Sequence, residues 1–306
     1  MLRYVVKRIL GMIPTLLLVT IFVFMFIHLI PGDAARLSAG PEASQQTVET
    51  IRKQLGLDKP LLAQYGIWMN HLLHGNLGTS IQTKRPVIYE IGQRYWKTMS
   101  LALASLIWST IVGVLLGVWS GRHRSHWQDY TGMTVAVSGI SLPSFWIGFI
   151  VIIIFSVNLK VLPATGADSW KSLILPSFTL GAGIAAVLAR FTRSSIVEVL
   201  KEDYVRTARA KGIKEKRVVW RHAFRNALIP VVTVAGLQFG FLLGGSVIVE
   251  SVFAYPGLGS LLLDSINTRD YPCVQALILI FSLHFILINL IVDILYAVLN
   301  PEIQLS

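Results

Sequence analysis

Covalent chemistry has little to work with in this sequence. The chain holds one cysteine, Cys273, so neither an internal disulfide nor a thiolate cluster for zinc can form. No His, Cys and carboxylate group has metal-ligand spacing, and no nucleophile has an evident base. The phosphate cradle Gly-x-x-x-x-Gly-Lys-[Ser/Thr] does not occur. The polar residues that stand out do so by position. His284, Asn289 and Asp293 lie inside a long apolar stretch, where polar groups face a bundle interior or a wet pathway. Asp203, Tyr204, Arg206, Thr207, Ala208, Arg209, Lys211 and Gly212 form a charged run, followed by further basic residues and Asn226 to Pro230. Such residues dock and pair; they do not make or break bonds. The sequence is not read as that of an enzyme.

The elements that carry these residues are apolar and long. Of the 306 residues, 54% are hydrophobic and 14% charged, where a soluble domain carries about 25% charge. Lipid is the solvent this composition implies. Six segments are long enough to cross about 30 Å of hydrocarbon at about 1.5 Å per residue: approximately 9–30, 99–120, 133–157, 173–189, 228–249 and 274–299. The fourth carries Pro176 and two glycines, tolerated in membrane helices where neighbours satisfy the freed carbonyl. Arg3, Lys7 and Arg8 precede the first span, which is too long for a signal-peptide core of about 7–15 residues and reads as a retained anchor.

Charge sets the expected orientation. With the N-terminus inside, the inner segments hold 16 of the 27 basic residues, eleven of them between Arg190 and Arg225. Eight of the remaining ones lie in the long segment 31–97, and long loops count little. Both termini are therefore expected in the cytoplasm. The net charge of +11 follows from topology, with no need for nucleic acid.

Segment 31–97 departs from a plain bundle. Turn signals at Pro31-Gly32-Asp33 and Gly40-Pro41 precede a polar helix over 44–55 that ends at Gly56. Residues 60–73 then place Leu61, Leu62, Tyr65, Trp68, Met69 and Leu72 on one apolar face. These features predict an external cap resting on the membrane, with or without a role of its own. The chain divides into residues 1–97, a helix plus cap, and 98–306, a five-helix core with a cytoplasmic loop near 198–226.

Three further features allow two readings each. Gly113, Gly117 and Gly121, like Gly236, Gly240 and Gly244, recur every four residues and let helix backbones approach; the contact is either within the chain or a moving interface with a partner. His284 is either a pathway residue or a hydrogen-bonded structural one, and Asp293 is expected to pair with Arg190 or Arg193. Phe253, Tyr255, Pro256 and Gly257 form a rigid external loop, either an interfacial aromatic belt or a surface for a partner. The basic loop itself is either a solvated topology signal or a docking device: a helix over about 198–211, a glycine stop at Gly212, then a second basic helix.

Here a resemblance enters. The loop is similar to that of ABC importer permeases, whose loose pattern is Glu-Ala-Ala, three residues, Gly, then Ile-x-Leu-Pro or similar. Arg206-Thr207-Ala208 stands at the Glu-Ala-Ala position, so the strict pattern fails. Asp203-Tyr204-x-Arg206-Thr207-Ala208-Arg209-Ala210-Lys211-Gly212 and Arg225 to Pro230 instead resemble the dipeptide, oligopeptide and nickel branch. So do the start at Arg3 to Leu10, Gln54 to Leu61, Gly75 to Ser80, Glu250 to Gly259, Arg269 to Pro272 and Asn300-Pro301. Ala189 to Ser195 and Gly236 to Gly245 resemble most the permease of glutathione importers.

The resemblance covers the whole chain. It implies an all-α membrane protein of the type I ABC importer permease kind, with six transmembrane helices, in a bacterial inner membrane. It implies a homologous second permease, two ATPase subunits that hold ATP and Mg, and a periplasmic substrate-binding protein, with no cofactor on this chain. The helix around Leu200 to Gly212 would sit in a groove of the ATPase, with Arg206, Arg209 and Lys211 making polar contacts there and Tyr204 and Val205 apolar ones. The loop at Phe253 to Gly257 would face the binding protein. Glutathione or dipeptides are the substrates implied; a nickel chelate is the alternative. A self-contained secondary transporter is opposed by the missing inverted repeat and the few buried acids.

Overall fold

The computed structural model describes residues 2–29, 34–39, 43–54 and 56–299. Their regular secondary structure is helical, apart from an isolated bridge between Thr79 and Pro86. In order they form α1 (Leu2–Leu29), α2 (Ala34–Ala39), α3 (Gln45–Gln54), α4 (Leu61–Leu73), α5 (Val87–Arg122), α6 (Trp127–Ser141) and α7 (Ser144–Val151). Then follow α8 (Ile174–Val199), α9 (Asp203–Ala210), α10 (Glu215–Arg217), α11 (Phe224–Val252), α12 (Leu258–Asn267) and α13 (Tyr271–Leu299). The turn signals at 31–33 and 40–41 and the Asn300-Pro301 pair lie outside the described residues.

Among the described residues, five helices are long and apolar enough to cross a membrane: those of α1, α5, α8, α11 and α13. The sixth span is not the straight helix expected over 133–157. It is α6 followed by α7 and its π-type continuation Ile152–Asn158, bent by 104°. Pro143 is the cause. Its ring disfavours helical backbone at the preceding residue, and Leu142 is extended at φ −91° and ψ 133°. Pro176, by contrast, falls in the first turn of α8, where its missing N–H costs no helical bond. α8 runs ten residues past the expected end at 189. α5 begins twelve residues before the expected 99, extending outward to about 54 Å in all.

The centre of the bundle is α5 against α8, flanked by α11 and α13. Between helices in lipid, close packing replaces the hydrophobic effect as the source of cohesion. The glycines of α5 supply it. A Cβ on Gly113 would lie 2.7 Å from the Ala185 carbonyl oxygen, and one on Gly117 2.5 Å from that of Ala189. The first glycine triad is thus packing within the chain. In the second, Gly240 faces Phe285 and Gly236 faces Val292 across α13, while Gly244 has no atom of its own chain near.

The segment between α1 and α5 rests on α1 through α4. Tyr65 and Trp68 of α4 pack against Phe24 at ring-centroid distances of 5.4 and 5.9 Å, and Tyr65 and Thr20 share a 2.8 Å hydrogen bond. Leu61 and Leu62, expected on the same face, are exposed. Past α4, Ser80 donates to the Asp270 carboxylate, which also accepts the Ile81 N–H at 3.1 Å. That buried carboxylate ties the end of the cap segment to the start of α13.

Candidate functional site

The charged run between α8 and α11 folds as a short helix bolted to the bundle. Asp203 sits in the first turn of α9 and Arg209 in the last, each favourable to the helix dipole. Gly212 closes the helix in the left-handed conformation, φ +71°. The Gly212 N–H donates to the Arg209 carbonyl at 2.9 Å and the Ile213 N–H to that of Ala208 at 3.3 Å. These are the paired bonds of a Schellman stop, and Ile213 packs on Ala208 to complete it.

One face of α9 is buried. Val205 and Ala208 form a small cluster with Val218, flanked by Val199, Leu200 and Ile213. The expected apolar contact of Val205 with a partner is therefore corrected: its side chain is taken up by the chain's own core, as is that of Ala208. An eight-residue helix cannot hold itself, so these residues are spent on fixing it. Asp203, Tyr204, Arg206, Thr207 and Lys211 remain exposed.

Polar clasps fix the direction of α9. Arg209 grips Glu215 at 2.8 and 3.1 Å and reaches the Leu200 carbonyl at 3.3 Å. The hydrogen-bonded guanidinium holds the Glu215 carboxyl below its ordinary pKa, and the carboxylate in turn raises that of Arg209. The amide of Asn226, at the start of α11, donates to the Tyr204 hydroxyl at 2.8 Å. Ser195 of α8 donates to the Ala227 carbonyl at 3.0 Å. α9 is thereby tied to α11 through Tyr204 and to the end of α8 through Arg209, and α8 and α11 are tied to each other.

The outer ends of α5 and α11 meet around a buried carboxylate, Glu250. It accepts the Thr98 hydroxyl at 2.7 Å and the Ser260 N–H at 2.9 Å, while Thr98 accepts the Leu258 N–H at 2.7 Å. The close approach needs Gly257, where a Cβ would collide with the carboxylate. Phe253 and Tyr255 are buried with Leu101, Val151, Leu175 and Val249, and burial raises the Tyr255 pKa. This corrects the expectation of an aromatic surface facing outward: the two rings and Gly257 are interior, and Pro256 alone of the four is part-exposed.

Within the membrane, His284 is fully engaged. Its Nδ1 lies 2.7 Å from the Ile280 carbonyl, which only accepts, so Nδ1 carries the proton. Nε2 then accepts from the Tyr95 hydroxyl at 2.7 Å. Asn289 is half-buried on the same helix. Asp293 pairs with Arg8 at 2.8 Å, not with Arg190 or Arg193. The helices explain this: α13 packs on α1, whereas the inner end of α8 packs on α6 and gives Arg193 to Asp129 at 2.5 Å.

Residues 113–305 match the family described as "Binding-protein-dependent transport system inner membrane component". Residues 1–102 match "Binding-prot-dependent transport system membrane comp, N-term". The chain belongs to this family. It is accordingly a multi-pass inner-membrane component of a transport system and not itself an enzyme. The glutathione transport system permease protein GsiC of Salmonella choleraesuis (strain SC-B67) is 57% identical over 304 residues, covering 99% of each chain. GsiC of Escherichia coli (strain K12) is 56% identical over the same length. Among solved structures, the inward-facing MetNI methionine ABC transporter aligns with TM-score 0.60 at 19% identity, covering 69% of this chain and 97% of that one. An amino acid ABC transporter aligns at 0.53 and 13%. At those identities the likeness speaks to fold alone, the all-helical fold of ABC importer permeases.

Several residues of this family member were not singled out from sequence. Glu250, Thr98, Asp270 and Asp129, the partner of Arg193, are buried polar groups with long-range partners. The one signal available was a carboxylate in or beside an apolar run, at Glu250 and Asp270.

Proposed function

We propose that this chain is one of two homologous permease subunits of an ATP-driven importer for small peptides, glutathione among them. Two ATPase subunits would bind ATP and Mg, and a periplasmic binding protein would deliver substrate to the outer face. The N-terminus and the α8–α11 loop lie in the cytoplasm in this reading, as the concentration of basic residues requires. Residues 98–306 form the transporting core, and 1–97 an anchoring helix with its cap.

The observation that carries the reading is the exposed face of α9. Tyr204, Arg206, Thr207 and Lys211 stand outward on a helix whose other face is anchored to α8 and α11. A surface held so firmly transmits a push. The ATPase would meet these outward residues, and Ala208, Arg209 and Gly212 would keep them in place. Movement would then reach the membrane helices through Asn226 and Ser195. His284, Asn289, Asp293 and the Gly236–Gly240–Gly244 face belong to the packing that must shift or line the pathway. The peptide substrate is supported by the full-length similarity to glutathione permeases.

Reconstitution tests the reading. Proteoliposomes holding both permeases, the ATPases and the binding protein should take up glutathione only with ATP, and vanadate should stop it. Uptake by this chain alone, driven by an ion gradient, would overturn the proposal. Uptake of a nickel chelate in place of any peptide would move it to the other substrate class.

A further inference from the structure

The external loop leaves one cation unanswered. Arg94 lies in the outward extension of α5, and its Nη1 is buried without a hydrogen-bond partner. Buried donors are normally satisfied, and a bare one is costly. Arg94 borders a cleft of about 330 Å³ that is also lined by Glu250, Ser260, Tyr255, Pro256 and Asp264. The Glu250 carboxylate is occupied by Thr98 and Ser260. Asp264 is exposed, and its carboxylate makes no ion pair among the described residues. Arg94, with one buried and unpartnered N–H, and Asp264, with no ion pair among the described residues, thus line the same cleft without meeting each other.

That arrangement selects by charge. A plain anion would satisfy Arg94 and be repelled by Glu250 and Asp264. A plain cation would find Asp264 and leave Arg94 bare. A molecule with a carboxylate and an ammonium close together satisfies both, and a forked guanidinium is the best carboxylate receptor a side chain offers. The volume lies at the small end of ligand clefts, which run about 300–1,000 Å³, and suits one end of a short peptide. We propose that this cleft receives the zwitterionic end of the transported peptide, Arg94 holding its carboxylate and Asp264 its ammonium. The inference rests on the peptide-import reading and adds to it a contact on the permease itself.

The test is direct binding of glutathione, whose γ-glutamyl end carries both charges on one carbon. The assembled permease–ATPase complex is held in nanodiscs with the binding protein left out. N-acetylated glutathione and its amidated form are the comparison ligands. Wild type should bind glutathione and reject both analogues. Arg94→Gln and Asp264→Asn should each weaken glutathione binding about tenfold or more. Asp264→Asn should also stop discriminating against the acetylated form, and Arg94→Gln against the amidated one. Arg94→Lys, which keeps the charge and loses the fork, should fall between. Asp264 is exposed, so Asp264→Asn leaves the fold undisturbed and keeps the test sound if an Arg94 variant misassembles. Unchanged affinity and discrimination in Asp264→Asn overturn the proposal. So does a variant that binds glutathione normally but no longer co-sediments with the binding protein, which would make the cleft a protein contact. Failure of the wild-type complex to import any peptide is a separate result, and it removes the import reading first.

Discussion

Replacing Ala208 with leucine tests whether α9 acts as a rigid lever. Ala208 is buried in a cluster with Val205 and Val218, which joins the main core only through partly buried Val199 and Leu200. Leucine adds three carbons there, and overpacking of this kind costs about 1–3 kcal/mol. The cluster has little to spare. Two buried valines contribute about 1.5–3 kcal/mol each, set against the entropy of ordering eight residues. A penalty of that size should raise local opening of α9 about 5- to 150-fold without unfolding the bundle. Hydrogen exchange over residues 203–213 reads the opening, and proteoliposomes read uptake and ATP turnover together. The expected outcome is faster exchange, continued ATP hydrolysis and uptake per ATP reduced in step. Exchange that rises by this factor while uptake per ATP stays at the wild-type value refutes the lever. Ala208→Gly is the matched control: it loosens the helix by about 1 kcal/mol with no clash.

Other outcomes follow from the clasps. Glu250→Ala strands the Thr98 hydroxyl and the Ser260 N–H, at about 1–3 kcal/mol for each unsatisfied group, so thermal unfolding of the purified complex should come at lower temperature. Glu250→Gln keeps one acceptor oxygen and should lose less; an equal loss would mean that charge, not acceptance, matters there. Gly117→Val places a branched Cβ against the Ala189 carbonyl and should lower stability by about 1–3 kcal/mol or block assembly; an unaltered melting profile would show that α5 and α8 are not in backbone contact. Glu215 is held below its ordinary pKa by Arg209. Its contribution is therefore present above the ordinary glutamate range and lost as pH falls through the lowered value. Exchange protection over 203–217, corrected for the intrinsic rate, should drop at acid pH in wild type, and Glu215→Gln should abolish that drop. The pair is half-exposed, so the effect is modest.

The membrane helices were legible because each announces itself by length and apolarity alone. What hydropathy does not carry is direction. The break at Pro143 was written in the sequence, but a sliding apolar run passes over one proline, and only the neighbours of a helix decide whether it straightens or turns. Helix α9 was legible in outline, since Gly212 after a run of helix formers marks a stop. Its facing was not: Val205 and Ala208 looked like partner contacts, and they are the roots of the helix. The same inversion holds for Phe253 and Tyr255. Aromatic residues beside a Pro-Gly turn read as a surface, yet a loop needs something to hold it, and its largest side chains do that. Partners across long separations, such as Arg8 with Asp293, follow from which helices touch, and that is not a local property of the chain.

α11 then takes on a particular position. At its inner end Asn226 holds α9 through Tyr204; at its outer end Glu250 holds the start of α12 through Ser260. Those residues are 24 apart, about 36 Å along a helix. One element therefore carries a polar clasp to α9 at one end and to the start of α12 at the other. Its middle is lined by Gly236 and Gly240 against α13, where small side chains permit sliding at close range. Pro230 sits between the inner clasp and that glycine face, and a proline in a helix interior removes a backbone bond and favours a bend. If α11 moves as one body, Pro230→Ala should leave uptake intact. If the proline is the joint at which motion of α9 is converted into tilt, that variant should stiffen the helix and slow transport with its ATPase partners still bound.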